Sequence, residues 1–196
     1  MESEFENGTA LDNNGETITL LAADDSVIES FRYEDGTPWP ITPDGLGTSL
    51  TRILPPSDPS NPTSWRASAA AGGSPGMSDA VTFSGDPAAD DDMDGLIALL
   101  EYATGSSDQE PTLEPRLSTY SIDDGVLSVV IRRNLAADDI SWNLEQSTDL
   151  STWMPIEVEF EHTGDDGNGI GSITFEVPLP ENATRYFWRA RVELTP

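Results

Sequence analysis

From about residue 117 to the C-terminus, apolar and polar residues alternate with a period of two, and such a run can bury one face only if it is extended. Leu127, Val129 and Ile131 share a face, as do Ile140, Trp142 and Leu144. Ile156, Val158 and Phe160 oppose Glu157, Glu159 and Glu161, and Ile173, Phe175 and Val177 repeat the pattern. Tyr186, Trp188, Ala190 and Val192 close the series, with Arg189 and Arg191 pointing the other way. Strands of this kind, separated by turns such as residues 164–171, predict an antiparallel β-sandwich over 117–196, with one face of each sheet in water. Trp142 and Trp188 are expected in its core, and Trp153, just after a turn, is expected to be packed.

The first 76 residues read as short strands separated by turns. Glu16–Leu21 follows the turn signal Asn13-Asn14-Gly15, and Ser26–Tyr33 follows Asp24-Asp25. Residues 16–33 are therefore expected to form a β-hairpin. Beyond Gly36 the chain is irregular, with six prolines between Pro38 and Pro59, and a short strand is expected near Ser49–Leu54. Trp39, flanked by prolines, and Trp65 are the tryptophans best placed for exposure. Ala67–Gly76 is rich in small residues and reads as an exit and linker. The expected organisation is a partial β domain over 1–76, a linker segment over 77–116 and the C-terminal sandwich over 117–196. The fold class is mostly β.

The linker segment carries the one convincing helix and the one chemical motif. Leu96, Leu99, Leu100 and Ala103 fall on one helical face, and Gly105 sits where a C′ glycine stops a helix. Before it stands Asp90-Asp91-Asp92-Met93-Asp94-Gly95, and Glu101 follows at the closing distance. The run matches the calcium-loop pattern D-x-[DN]-x-[DN]-G-x5-E at every specified place. Asp90, Asp92 and Asp94 would give carboxylate oxygens, Gly95 the sharp turn, Leu96 its carbonyl and Glu101 two closing oxygens. The competing reading is an acidic cap on the positive end of the helix, but a cap requires neither alternate spacing nor Glu101. Gly85-Asp86-Pro87 is no entering helix, so a paired EF-hand is not expected. A lone half-site would bind Ca2+ at about 0.1–1 mM, and magnesium would substitute poorly.

Composition narrows the partners. The 196 residues carry 36 acids against nine basic residues, a formal charge of −27. That excess opposes nucleic acid and anionic membrane surfaces, and favours divalent cations and a salty medium. With no cysteine there is no disulfide frame, and calcium is an alternative staple outside the cell. No run approaches the length of a membrane span, and the opening Met1-Glu2-Ser3-Glu4-Phe5-Glu6 is not a signal peptide.

Short matches in order link residues of about 5–76 to a family. Asn14–Leu21, Val27–Tyr33, Pro38-Trp39-Pro40, Gly47–Leu50, Asn61-Pro62, Ser64-Trp65-Arg66 and Gly73–Gly76 resemble the second half of a bacterial lamin-tail domain. The resemblance implies an immunoglobulin-like sandwich from large exported bacterial proteins, with Trp39 and Trp65 closing it off. The family's first half has no counterpart before Phe5, so the chain is expected to be the tail of a longer protein or to have a miscalled start. Half a sandwich would leave sheet edges open. It would need to pair with the C-terminal sandwich, dimerise, or be marginally stable. Residues 90–107 are similar to dockerin and thrombospondin type-3 calcium loops, with Ala98 in place of a common Asn and Ser106-Ser107-Asp108 in place of the usual ending. Leu144–Trp153 and Tyr186–Val192 resemble the C-terminal β-module of exported bacterial multidomain proteins. These resemblances imply export and modular tail architecture, not catalysis.

The expected function is a non-catalytic, calcium-stabilised structural or interaction tail of a secreted or cell-surface protein. Its partners would be calcium and other domains of a parent protein or an extracellular polymer. The alternative is a carbohydrate- or polymer-binding accessory module of a secreted enzyme. His162, the one histidine, lacks a nucleophile at triad spacing and reads as a surface turn residue. Residues 164–169 read as a glycine-rich hairpin turn rather than a second cation loop. Asn7-Gly8-Thr9 and Asn182-Ala183-Thr184 fit the glycosylation pattern, without weight in a bacterial chain.

Overall fold

The computed structural model describes residues 11–53, 57–112, 117–158, 160–166, 168–180 and 185–195. Both glycosylation patterns and the beginning of the lamin-tail resemblance lie outside them. The fold is mostly β with antiparallel sheets, as the alternation predicts.

The C-terminal strands are β5 (Ser118–Asp123), β6 (Val126–Asn134), β7 (Ile140–Ser147), β8 (Met154–Pro155), β9 (Phe160–Asp165), β10 (Ile170–Pro178) and β11 (Phe187–Leu194). They form two sheets, ordered β5-β6-β10-β9 and β11-β7-β8. Leu127 and Ile131 of β6, Ile173, Phe175 and Val177 of β10 and Leu144 of β7 make one buried cluster, so the sheets face each other. Trp142, Trp188, Ile156 and Val158 pack against it. Burying side chains of this size contributes about 1.5–3 kcal/mol each.

Two expectations change here. The alternation through 156–161 is not one strand. β8 pairs with β7, while β9 pairs with β10 in the other sheet, and the chain crosses between them at Ile156–Val158. Pro155 has no N–H to extend the β7 ladder, yet Ile156 and Val158 still face the core. His162 is also not in a turn: it pairs with Ile173 within β9. The turn proper lies between Asp165 and Ile170, where the Asp166 carboxylate accepts from Asn168 N and Ile170 N.

In the N-terminal segment, β1 (Thr17–Leu21) and β2 (Val27–Arg32) form the expected hairpin, with a register shift at Leu20/Leu21. β3 (Leu50–Arg52) pairs with β4 (Trp65–Ala67), and Leu54 lies outside the described residues. Trp39 and Trp65 are only 4% and 9% exposed. Trp65 stacks at 4.9 Å on Phe31 and 6.1 Å from Trp39. Both rings are therefore packed, the outcome the resemblance implies, and not the exposure for which they were the best placed of the tryptophans. Ala67 and Ser68 are buried too, so the small-residue stretch begins in the core and not as a linker.

Buried ion pairs tie this segment to the sandwich. Arg66, fully buried, donates from Nε to Asp138 Oδ1 at 2.7 Å and from Nη2 to Asp138 Oδ2 at 2.8 Å. Its Nη2 also reaches Asp79 Oδ1 at 2.7 Å. Burial opposes the charge, but the hydrogen bonds that Arg66 donates to Asp138 and Asp79 outweigh it and hold the guanidinium above its ordinary pKa. Thr42 adds a hydroxyl bond to Asp165 Oδ2. Of the outcomes expected for half a sandwich, contact with the C-terminal sheets is therefore present.

Candidate metal centre

One α-helix occurs among the described residues, α1 (Ala98–Thr104). It is shorter than the apolar periodicity suggests, because Leu96 and Ile97 stay extended; Ile97 is the N-cap, at φ −86° and ψ 150°. Gly105 ends it as expected, in the left-handed region at φ 73°. The acids do not cap it. The Ala98 and Leu99 amides donate to the carbonyls of Ala89 and Pro87 at 2.8 and 3.3 Å, and no side chain caps the first turn. The carboxylates are left for other work, and no described helix is long and apolar enough to cross a membrane.

The loop before the helix coils around its own carboxylates. Asp92 Oδ1 accepts from Asp94 N at 3.1 Å, Asp94 Oδ1 from Leu96 N at 2.7 Å, and Asp90 Oδ2 from Gly95 N at 3.2 Å. Gly95 turns at φ 94° with open space where a Cβ would point, so backbone angle rather than crowding requires glycine. These turns bring one oxygen each from Asp90, Asp92 and Asp94 within 4.8 Å of one another. Asp90 Oδ1 and Asp92 Oδ2 are buried without a hydrogen-bond partner.

Glu101, on α1, is 0% exposed, and neither of its carboxylate oxygens has a partner of ordinary geometry. It is not one of the three mutually close oxygens, but it feels their field. Burial, then the charges of Asp92 and Asp94, push its pKa up, with only the nearby Ser106 hydroxyl opposing them. An isolated buried carboxylate is expensive, and proteins tolerate one where a proton or cation compensates it. Leu96, the remaining predicted ligand, lies in the loop with its amide committed to Asp94.

Sequence reasoning missed the return of the chain. Residues 106–112, expected to be a polar linker, fold back on the loop: Thr112 N donates to Asp94 Oδ2 at 2.7 Å, and Gln109 Nε2 to Asp91 Oδ2 at 3.4 Å. Asp108 Oδ1 is buried with no partner. The helix is fixed to the sandwich by Asn134 Nδ2 donating to Tyr102 O at 3.0 Å, and by the Tyr102 hydroxyl at Asp139 Oδ1.

The sandwich also has a concavity. Between the edges of β5 and β11 runs a groove of about 460 Å³ lined by Tyr120, Leu150, Trp153, Tyr186, Trp188 and Arg189 among others. Arg189 lies 4.3 Å over the Trp153 ring and donates to Glu145 Oε2 at 2.5 Å.

No family model, curated protein or solved structure matches this chain.

Proposed function

We propose that this chain is a calcium-stabilised, non-catalytic structural tail of an exported or surface protein. One observation carries the reading: a fully buried Glu101 whose carboxylate has only the nearby Ser106 hydroxyl to offset its charge, within the field of three converging aspartates. A hard divalent cation with oxygen ligands would relieve that charge. Asp90, Asp92, Asp94, the Leu96 carbonyl and Glu101 would hold it. The donor set is all oxygen and all hard, which suits calcium and not a thiophilic metal. The ion would close the loop onto α1, and α1 already grips the sandwich through Tyr102. A half-site of this kind binds weakly, so it would fill in a calcium-rich medium, in keeping with export and an acidic surface. The lamin-tail and β-module resemblances support the same setting.

Calorimetric titration with calcium, paired with melting in calcium and in chelator, tests the reading. One-site binding at about 0.1–1 mM is expected, with stabilisation of about 2.7 kcal/mol at a hundredfold excess and loss of both in Asp94→Ala and Glu101→Ala. No binding up to about 10 mM, well beyond that range, would overturn it.

The aromatic groove favours a second reading, a module that binds a neutral polymer by ring stacking. Burial of Trp39 and Trp65 removes two of the rings that such a platform was expected to use. Polysaccharide binding lost in Trp153→Ala would decide for it.

A further inference from the structure

The calcium reading leaves the coordination short. Calcium takes about six to eight oxygens. The loop offers one each from Asp90, Asp92, Asp94 and Leu96 and two from Glu101, the low end of that range. Loop position 9, which often contributes a further ligand or its water, is Ala98, which has no side-chain oxygen.

The chain beyond the helix supplies a carboxylate in the right neighbourhood. Residues 106–112 are strapped over the loop by the Thr112 amide on Asp94 Oδ2 and the Gln109 amide group on Asp91 Oδ2. Immediately before Gln109 stands Asp108, whose Oδ1 is buried and makes no hydrogen bond. Its charge is felt at Glu101, adding to the push from Asp92 and Asp94. Like charges that feel each other repel unless something positive sits between them. The arginine ion pairs found among the described residues go to Glu29, Glu34, Asp79, Asp138, Glu145 and Glu193.

Resting on the calcium reading of this site, we infer that Asp108 supplies a further oxygen to the same calcium ion, from outside the loop. The ion then ties Asp90 to Asp108, so that loop, helix and returning strap close around it.

Calcium titration of the full chain, wild type against Asp108→Asn and Asp91→Asn, tests this. Asp91→Asn removes the same charge from the exposed side of the loop and so controls for long-range electrostatics. Asp108→Asn is expected to weaken binding at least about tenfold, several times more than Asp91→Asn. Its melting temperature in chelator should be equal to or above wild type, because a repulsion is removed; a merely structural aspartate would lower it. Calcium should slow exchange of the Thr112 amide in wild type and not in Asp108→Asn. Wild-type binding with equal losses in the two variants would overturn the role of Asp108 alone. Absence of wild-type binding would overturn the calcium reading and this inference with it.

Discussion

Tyr102 presents its hydroxyl to Asp139 Oδ1 at 2.5 Å, joining α1 to the loop that precedes β7. The same oxygen stands 2.5 Å from the Val81 carbonyl, so one phenol holds three parts of the chain. Burial first, then the Asp139 carboxylate, keep its pKa above the ordinary phenol value, and it remains a donor at neutral pH. Its neighbour Glu101 feels the charges of Asp92 and Asp94. Consecutive residues thus connect the centre to the sandwich.

Replacing Tyr102 with Phe leaves a charged acceptor without that donor. Asp139 keeps only its Oδ2 bond to the Phe83 amide at 2.8 Å. The expected cost is about 1.5–3 kcal/mol, read as a lower urea midpoint at unchanged slope. A loss within about 0.5 kcal/mol, typical of a surface change, would show that the bolt carries no weight.

Glu101→Gln should separate folding from metal binding. The amide keeps the shape and removes an uncompensated buried charge. In chelator the variant should melt at or above wild type, whereas in calcium it should lack the wild-type gain. Melting below wild type in chelator would mean that Glu101 has a structural partner and is not waiting for a cation.

Arg66 faces two carboxylates at once. Removing it by Arg66→Met leaves Asp79 and Asp138 buried and unbalanced, at a cost of about 3–5 kcal/mol. Arg66→Lys should recover little, since an ammonium cannot span both carboxylates as a planar fork does. Denaturant unfolding of the three proteins checks the order; a lysine variant as stable as wild type would contradict it.

Acid should undo the same network at a defined place. Burial alone would raise the pKa of Asp79, but the hydrogen bonds from Arg66 and from the Ala69 amide more than reverse it and leave it below 3.8. A depressed folded value stabilises the fold above the ordinary carboxylate range and loses that contribution as pH falls through the folded pKa. The stability gap between wild type and Asp79→Asn should be flat between about pH 5 and 8 and shrink below 3.8, the ordinary value. Melts across that range would show it; a gap that grows on acidification would reverse the sign.

The faces of β6 and β10 were legible because alternation encodes which side of a strand is buried, and Leu127, Ile131, Ile173 and Phe175 are where it puts them. The same signal misled at 156–161, since Ile156 and Val158 keep facing the core while the chain changes sheets. Flanking prolines mark Trp39 only as a loop residue, and its packing against Trp65 depends on tertiary folding. The acidic spacing of the candidate centre could be read directly. The return of residues 106–112 onto Asp91 and Asp94 could not, because it joins groups 18 residues apart. Nothing local marks Arg66 for burial: its partner Asp138 is 72 residues away.

That separation has a consequence during synthesis. The N-terminal strands leave the ribosome first, and Arg66 emerges with them. At about 5–20 residues per second, Asp138 follows about 4–14 s later. For that interval Asp79 is the only one of the two carboxylates available, and the guanidinium must stay hydrated. The segment around β3 and β4 can therefore close its interior only after the chain has reached the turn before β7. Any truncation short of Asp138 would hold the nascent protein at that unfinished stage.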